Sequence, residues 1–268
     1  MVAIFGLCCT ATAQRLDKPP LTTSTTIFLM GEIHDNSHGH TLRLKHVMEL
    51  ISQGHRPAVA MEQFDRENQA VLDSALTRCK DADCVLAEAG KPGWEWPFYK
   101  PLVQLALDKK ITLIAANLSN SDVKKVMAHG FKAVFSPQTI NAYKLNQIQM
   151  QLLDAQNKAI QEGHCNMLPL QAIGPMVQGQ IARDVWMASV LNSIENQMVM
   201  LIAGNGHVRK DAGVFQWLST DNQARTQVFG YVESAEANDA SWFDQVYLVP
   251  EVEREDPCLV FTRKSGKK

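Results

Sequence analysis

Four short runs of apolar, β-prone residues recur along the chain, and a polar cluster stops each one at once. They cover residues 25–30, 58–61, 111–116 and 198–203. Unbroken apolar runs of this length fit strands covered on both faces, as in a parallel sheet. Helical patterns lie between them. Leu44, Val47, Met48 and Ile51 fall at i, i+3, i+4 and i+7 of a segment that Gly54 stops. Further helices are predicted over 66–78, 101–110, 121–129, 140–161 and 177–196, with a loop over 164–175. Shorter strands are expected at 227–232, 245–249 and 259–262. Strands alternating with helices predict an α/β fold: a mainly parallel β-sheet flanked by helices, with shorter strands added near the C-terminus.

Composition narrows the class. The 268 residues are 46% hydrophobic and 20% charged, values of a globular chain with a sizeable core. A formal net charge of −2 leaves no footprint for nucleic acid. Residues 1–13 are uncharged and end in Ala11-Thr12-Ala13, which reads as a secretory leader whose basic start is missing. A polar stretch, 14–24, then leads into a single domain over 25–268. Export to the periplasm or envelope is expected. Lipid attachment ranks below simple export, because Phe5-Gly6-Leu7 is a poor context for cleavage before Cys8. Outside the leader stand Cys79, Cys84, Cys165 and Cys258, an even count that permits disulfides, including a local bridge from Cys79 to Cys84.

The polar clusters carry the chemistry. Gly31-Glu32-Ile33-His34-Asp35, Glu62-Gln63, Asn117 and Gly204-Asn205-Gly206-His207 each follow an apolar run. In open α/β sheets the ligand crevice lies beyond the carboxyl ends of the strands. Paired Gly-x-x-His units with a glutamate between them match the donors of a divalent metal, with His34, His207 and Glu62 as ligands. Glu32, His34, Glu62 and His207 would be the catalytic set of a metal-dependent hydrolase. The alternative is a hydrogen-bonded polar cap on the sheet. Asp35, Asn117, Arg183 and Asp184 are the supporting residues, although an exposed salt bridge is the default for Arg183 and Asp184. His38 and His40, expected in a loop before the helix that starts at Thr41, rank below His34. Trp94, Trp96, Phe98 and Tyr99 could grip a flat apolar ligand, or simply pack a core.

Five motifs in order resemble the ChaN-like haem-binding family of bacterial lipoproteins. They are Gly31 to Asn36, Met61 to Arg66, Ala115-Ala116-Asn117, Gln180-x-x-Arg183-Asp184-x-x-Met187-Ala188, and Ala203 to Arg209. The resemblance implies an α/β fold, an exported protein, haem bound at a homodimer interface, and a link to iron acquisition through outer-membrane haem-uptake components. The wider superfamily includes Tiki and TraB proteins, where paired Gly-x-x-His motifs serve a metal-dependent protease. The family's haem ligand is a tyrosine with a histidine nearby. Tyr99, for its aromatic neighbours, and His164 are the cofactor-binding choices, with Tyr143, Tyr231 and Tyr247 as the other tyrosines.

Overall fold

The computed structural model describes residues 26–234, 240–256 and 258–259; the leader, the segment 14–24 and most of the expected strand 259–262 lie outside them. One sheet holds six strands, all parallel: β1 (Ile27–Met30), β2 (Ala58–Asp65), β3 (Leu113–Asn117), β4 (Val199–Ile202), β5 (Thr226–Val232) and β6 (Gln245–Leu248). Their order is β3-β2-β4-β1-β5-β6. Ten α-helices accompany it among the described residues: α1 (Ser37–Ser52), α2 (Gln69–Arg78), α3 (Ala82–Ala89), α4 (Trp96–Lys109), α5 (Asn120–His129), α6 (Pro137–Ala142), α7 (Met150–Gly163), α8 (Leu170–Asn192), α9 (Asn205–Val208) and α10 (Thr220–Ala224). None is long and apolar enough to cross a membrane.

Alternation along each strand sends side chains to two cores. Ile27, Leu29, Ala58, Ala60, Val199 and Leu201 pack on the face that α8 covers. Phe28, Met30, Val59, Met61, Met200 and Ile202 pack on the other, beneath α1 and α4. Every residue of β1 and β4 is buried, which accounts for their unbroken apolar character.

Three helical expectations need correction. The segment 140–161 is not one helix: α6 ends at Ala142, Lys144 takes a left-handed φ of 50°, and α7 starts at Met150. The apolar stripe continues across the break, so periodicity alone hid it. The loop expected over 164–175 shrinks to a turn, because α8 begins at Leu170 and carries Pro175 within its first two turns. As the sixth helical residue, Pro175 removes the donor to Gln171 C=O, a loss near the helix start that the remaining turns of α8 outweigh. Finally, α1 starts at Ser37, so His38 and His40 are helical; the Asn36 side chain caps the helix by accepting from Gly39 N–H at 2.8 Å.

Among the described residues there are two disulfides, Cys79–Cys84 and Cys165–Cys258. The first is the local bridge the spacing predicts.

Gly31 marks where β1 meets the loop of β4. A Cβ there would fall 2.1 Å from Asn205 Oδ1, and Asn205 is held by Nδ2 donating to Tyr231 O at 2.7 Å. We expect Gly31→Ala to lower unfolding free energy by about 1–3 kcal/mol through overpacking. Urea titration of both proteins measures it; an unchanged midpoint would show that Asn205 moves aside without cost.

Candidate functional site at the carboxyl edge

Strand register brings the polar clusters together. Met30 and Met61 each pair with Ile202, so Gly31, Glu62 and Ala203 begin the same level above three adjacent strands. The pleat then separates two carboxylates. Glu32 continues the phase of Phe28 and Met30 towards α1 and α4. Glu62 continues the phase of Ala58 and Ala60 towards α8.

Glu32 is 2% exposed. Its Oε1 accepts from Tyr99 O–H at 2.5 Å, His34 Nδ1–H at 2.8 Å and Gln63 Nε2–H at 3.0 Å, and its Oε2 pairs with Arg43. Burial works against its charge, yet Arg43 and the His34 hydrogen bond hold its pKa below the ordinary value. His40 completes this cluster. Its Nε2–H donates to His34 O at 2.9 Å while Nδ1 accepts from Arg43 at 2.8 Å. That arrangement fixes a neutral ring, and burial together with Arg43 lowers its pKa.

The second cluster faces α8. Glu62 Oε2 accepts from Gly204 N–H at 2.8 Å, and its Oε1 lies 3.5 Å from His207 Nε2. His207 Nδ1–H donates to Asp184 at 2.6 Å, and Asp184 is anchored from its other side by Gln156 Nε2–H at 3.0 Å. Burial opposes charge on Glu62, but the His207 imidazolium outweighs it and holds the carboxyl at about 2. Burial likewise opposes charge on His207, but Glu62 and Asp184 push it up to about 10. Burial dominates at Asp184 and raises it to about 6.

His34 joins the two clusters and is the residue solvent reaches, with its side chain 47% exposed. Its Nδ1 is committed to Glu32, while Nε2 lies over Gly204, where a Cβ would come within 3.0 Å. Trp94 meets the ring edge-on with centroids 5.0 Å apart. Asn117 donates through Nδ2–H to Glu62 O at 2.8 Å and accepts at Oδ1 from Arg183 at 2.6 Å.

The structure therefore gathers Glu32, His34, Glu62, His207, Asn117, Arg183 and Asp184 at one edge. Arg183 and Asp184 do not pair with each other: Arg183 turns to Asn117, Leu118 and Asn120, and Asp184 to His207. Asp35 points away, to Arg254. Of the three expected metal ligands, Glu62 and His207 face each other at 3.5 Å, while His34 gives Nδ1 to Glu32. Glu62, Asp184 and His207 are already paired with one another. Among the described residues, the grouping of three donors within 4.8 Å is Cys79, Cys84 and Glu88, whose sulfurs form a disulfide. The polar-cap reading describes the edge better than a metal-dependent hydrolase does.

Tyr99 is fully buried, on the face of α1 and α4. With its hydroxyl given to Glu32, it offers no oxygen to a surface ligand. Half-buried Trp96 packs tilted on Phe64 and edge-on to Tyr99, and half-buried Phe98 stacks on His40, so these aromatics line the core. His164 ends α7, against the opposite core, and its Nδ1–H donates to Ile160 O at 2.7 Å. The two are not brought together. Sequence reasoning missed Arg43 and Gln156. The signal for Gln156 was its place four residues after Leu152, on the buried stripe; it is 2% exposed.

A second concavity, about 440 Å³, lies between the α6–α7 connection and the end of α8, lined by Tyr143, Lys144, Ile148, Leu152, Trp217 and Leu218 among others. Asn192 Nδ2–H donates to Tyr143 Oη at 3.1 Å. Asn192 lies 12 residues along α8 from Gln180, so this pocket sits about 18 Å from the crevice, towards the amino edge.

The His207 pair makes stability depend on pH. A folded pKa of about 10 against 6.5 adds stability that is complete below pH 6.5 and is lost as pH rises through 10. Glu62, at about 2 against 4.5, adds stability above pH 4.5 that is lost as pH falls through 2. Asp184 is raised, so its contribution is lost as pH rises from 3.8 through 6, below the His207 window. Melting temperature should fall between pH 6.5 and 10 in the wild type and stay flatter in His207→Gln. Parallel profiles in the two proteins would refute the charged pair.

Comparison with known proteins agrees with this architecture. Residues 22–218 match the family model described as haem-binding uptake, Tiki superfamily, ChaN. The solved structure of ChaN from Campylobacter jejuni, described as binding haem cofacially, aligns with a TM-score of 0.69 at 21% identity, covering 83% of this chain and 87% of that one. The erythromycin esterase EreC, in its open conformation, aligns at 0.49 and 11% identity over 79% of this chain and 71% of its own. The type III effector HopBA1 aligns at 0.47 and 13% identity over 85% and 88%. The first of these likenesses is one of fold. No curated protein matches the chain.

Proposed function

The chain belongs to the haem-binding uptake family of the Tiki superfamily that includes ChaN, and from that premise we propose that it binds haem in the cell envelope and serves haem or iron acquisition. The observation that carries this reading is the family match over residues 22–218. Two disulfides support an oxidising compartment. The family match favours haem over the hydrolase alternative at the strand ends.

The residues that fit haem lie in the second pocket rather than around Tyr99. Tyr99 and Tyr231 are 0% and 1% exposed. Tyr143 is half-buried at the pocket wall, beside apolar Ile148, Leu152 and Leu218, the Trp217 ring and the Lys144 cation, and no acid lines the pocket. A flat apolar ring bearing carboxylates suits that lining. Burial pushes the Tyr143 hydroxyl up, and the Asn192 amide pulls the other way by donating to its oxygen. Bound haem supplies iron chemistry that a phenolate oxygen biases towards the ferric state. Lys144 would face the propionates. In this reading a second copy of the chain covers the outer face of the ring, and uptake components of the outer membrane deliver or receive it.

Titration of the full chain with haemin should give a saturable Soret shift. Tyr143→Phe should weaken binding at least about tenfold or move the band, a loss of about 1.4 kcal/mol. Tyr99→Phe should leave the spectrum unchanged. Absence of a saturable shift in the wild type would overturn the function; a shift unaffected by Tyr143→Phe would move the ligand elsewhere. Light scattering with and without haemin tests the dimer.

A further inference from the structure

Residues 249–256 leave β6 without helix or strand and pass the carboxyl ends of β5 and β1. Val249 N–H donates to Val232 O at 2.9 Å, and Val252 N–H to Glu233 Oε1 at 3.3 Å. Arg254 bonds both oxygens of Asp35 at 2.9 and 3.0 Å, and Glu233 at 2.6 and 2.7 Å. Cys258 then closes the arm by its disulfide to Cys165, in the turn between α7 and α8. Beyond Val249 the arm is exposed except for the half-buried Val252. Polar and covalent contacts hold it, not apolar burial, and exposed ion pairs hold weakly.

These contacts converge on Asn36. Its Nδ2 donates to Pro250 O at 2.8 Å and to Glu233 Oε1 at 2.6 Å. The same side chain caps α1 through Gly39 N–H. That helix carries His40 and Arg43, which hold the His34 carbonyl and the Glu32 carboxylate. A continuous chain of contacts thus runs from Cys258 through the arm and the α1 cap to the exposed histidine of the crevice.

We propose that Cys165–Cys258 is a redox latch that clamps the C-terminal arm on Asp35, Asn36 and Glu233, so that its reduction frees the arm and loosens the His34 end of the crevice. The reductant is a dithiol. A thiolate attacks one sulfur, the S–S bond breaks as two electrons pass to the cysteines, Cys165 and Cys258 become thiols, and the dithiol leaves as its own disulfide. Cys79–Cys84 spans 5 residues against 93 for the latch and serves as an internal control. The latch stands independently of haem binding.

Hydrogen–deuterium exchange of the full chain tests it, without haemin. The proteins are the oxidised wild type, the wild type treated with dithiothreitol and then re-oxidised, the Cys165→Ser/Cys258→Ser double variant, and the Cys79→Ser/Cys84→Ser double variant. Removing the latch, by mutation or reduction, should speed exchange about tenfold over 249–256 and about threefold over 36–40. Re-oxidation should restore the slow rates, and the Cys79/Cys84 variant should keep them. Unchanged exchange at 249–256 overturns the latch. Acceleration confined to the arm, with 36–40 unchanged, overturns its connection to the crevice. Should β4 lose protection in the Cys165/Cys258 variant, signalling global unfolding, the reduced and re-oxidised wild type decides by the same criteria.

Discussion

A carboxylate buried at the end of β1 sets the terms for much of this molecule. Glu32 is held charged without solvent, and its compensation draws in α1 through Arg43, α4 through Tyr99, β2 through Gln63 and its own strand through His34. Removing one partner of such a group leaves an uncompensated buried charge, a cost of several kcal/mol. The helices on that face are therefore fixed by where their donors must be as well as by apolar burial. The α8 face repeats the solution with different parts, setting Glu62 against an imidazolium that Asp184 and Gln156 steady from behind.

Much of this was legible in the sequence, and the reasons are specific. Unbroken apolar runs announced the inner strands because both faces are covered. Their polar followers converge because Met30, Met61 and Ile202 share one level, a register that parallel pairing of adjacent strands imposes. What stayed hidden depends on long-range packing. Nothing local distinguishes Arg43 from a surface arginine, since its partner is on another element. Tyr99 looked like a ligand because aromatics cluster around it, but the cluster belongs to the core, and its hydroxyl answers to Glu32. The break after Ala142 escaped because an apolar stripe can pass across a loop without losing phase.

The two concavities divide the chemistry between them. The carboxyl edge is rich in charge and mostly committed to itself, apart from the exposed face of His34 and the buried Gln63 Oε1. The pocket beside Tyr143 mixes apolar side chains with uncharged amides and carries one cation and no acid. A large flat ligand needs the second kind of surface, because burying it against the first would strip solvent from groups that cannot change partners. Helix α8 runs past both, with Asp184 in one and Asn192 at the other.

The spacing of the two bridges also bears on how the chain is made. During synthesis Cys79 and Cys84 emerge almost together and can close while the rest is still to come. Cys165 must wait until 93 further residues have appeared, by which time β4, β5 and β6 are all available to complete the sheet. Early local closure removes two thiols that could capture Cys165 wrongly during that wait. The longer bridge is then a seal applied to a finished sheet, and order of emergence supplies a fidelity that four cysteines with three possible pairings would otherwise lack.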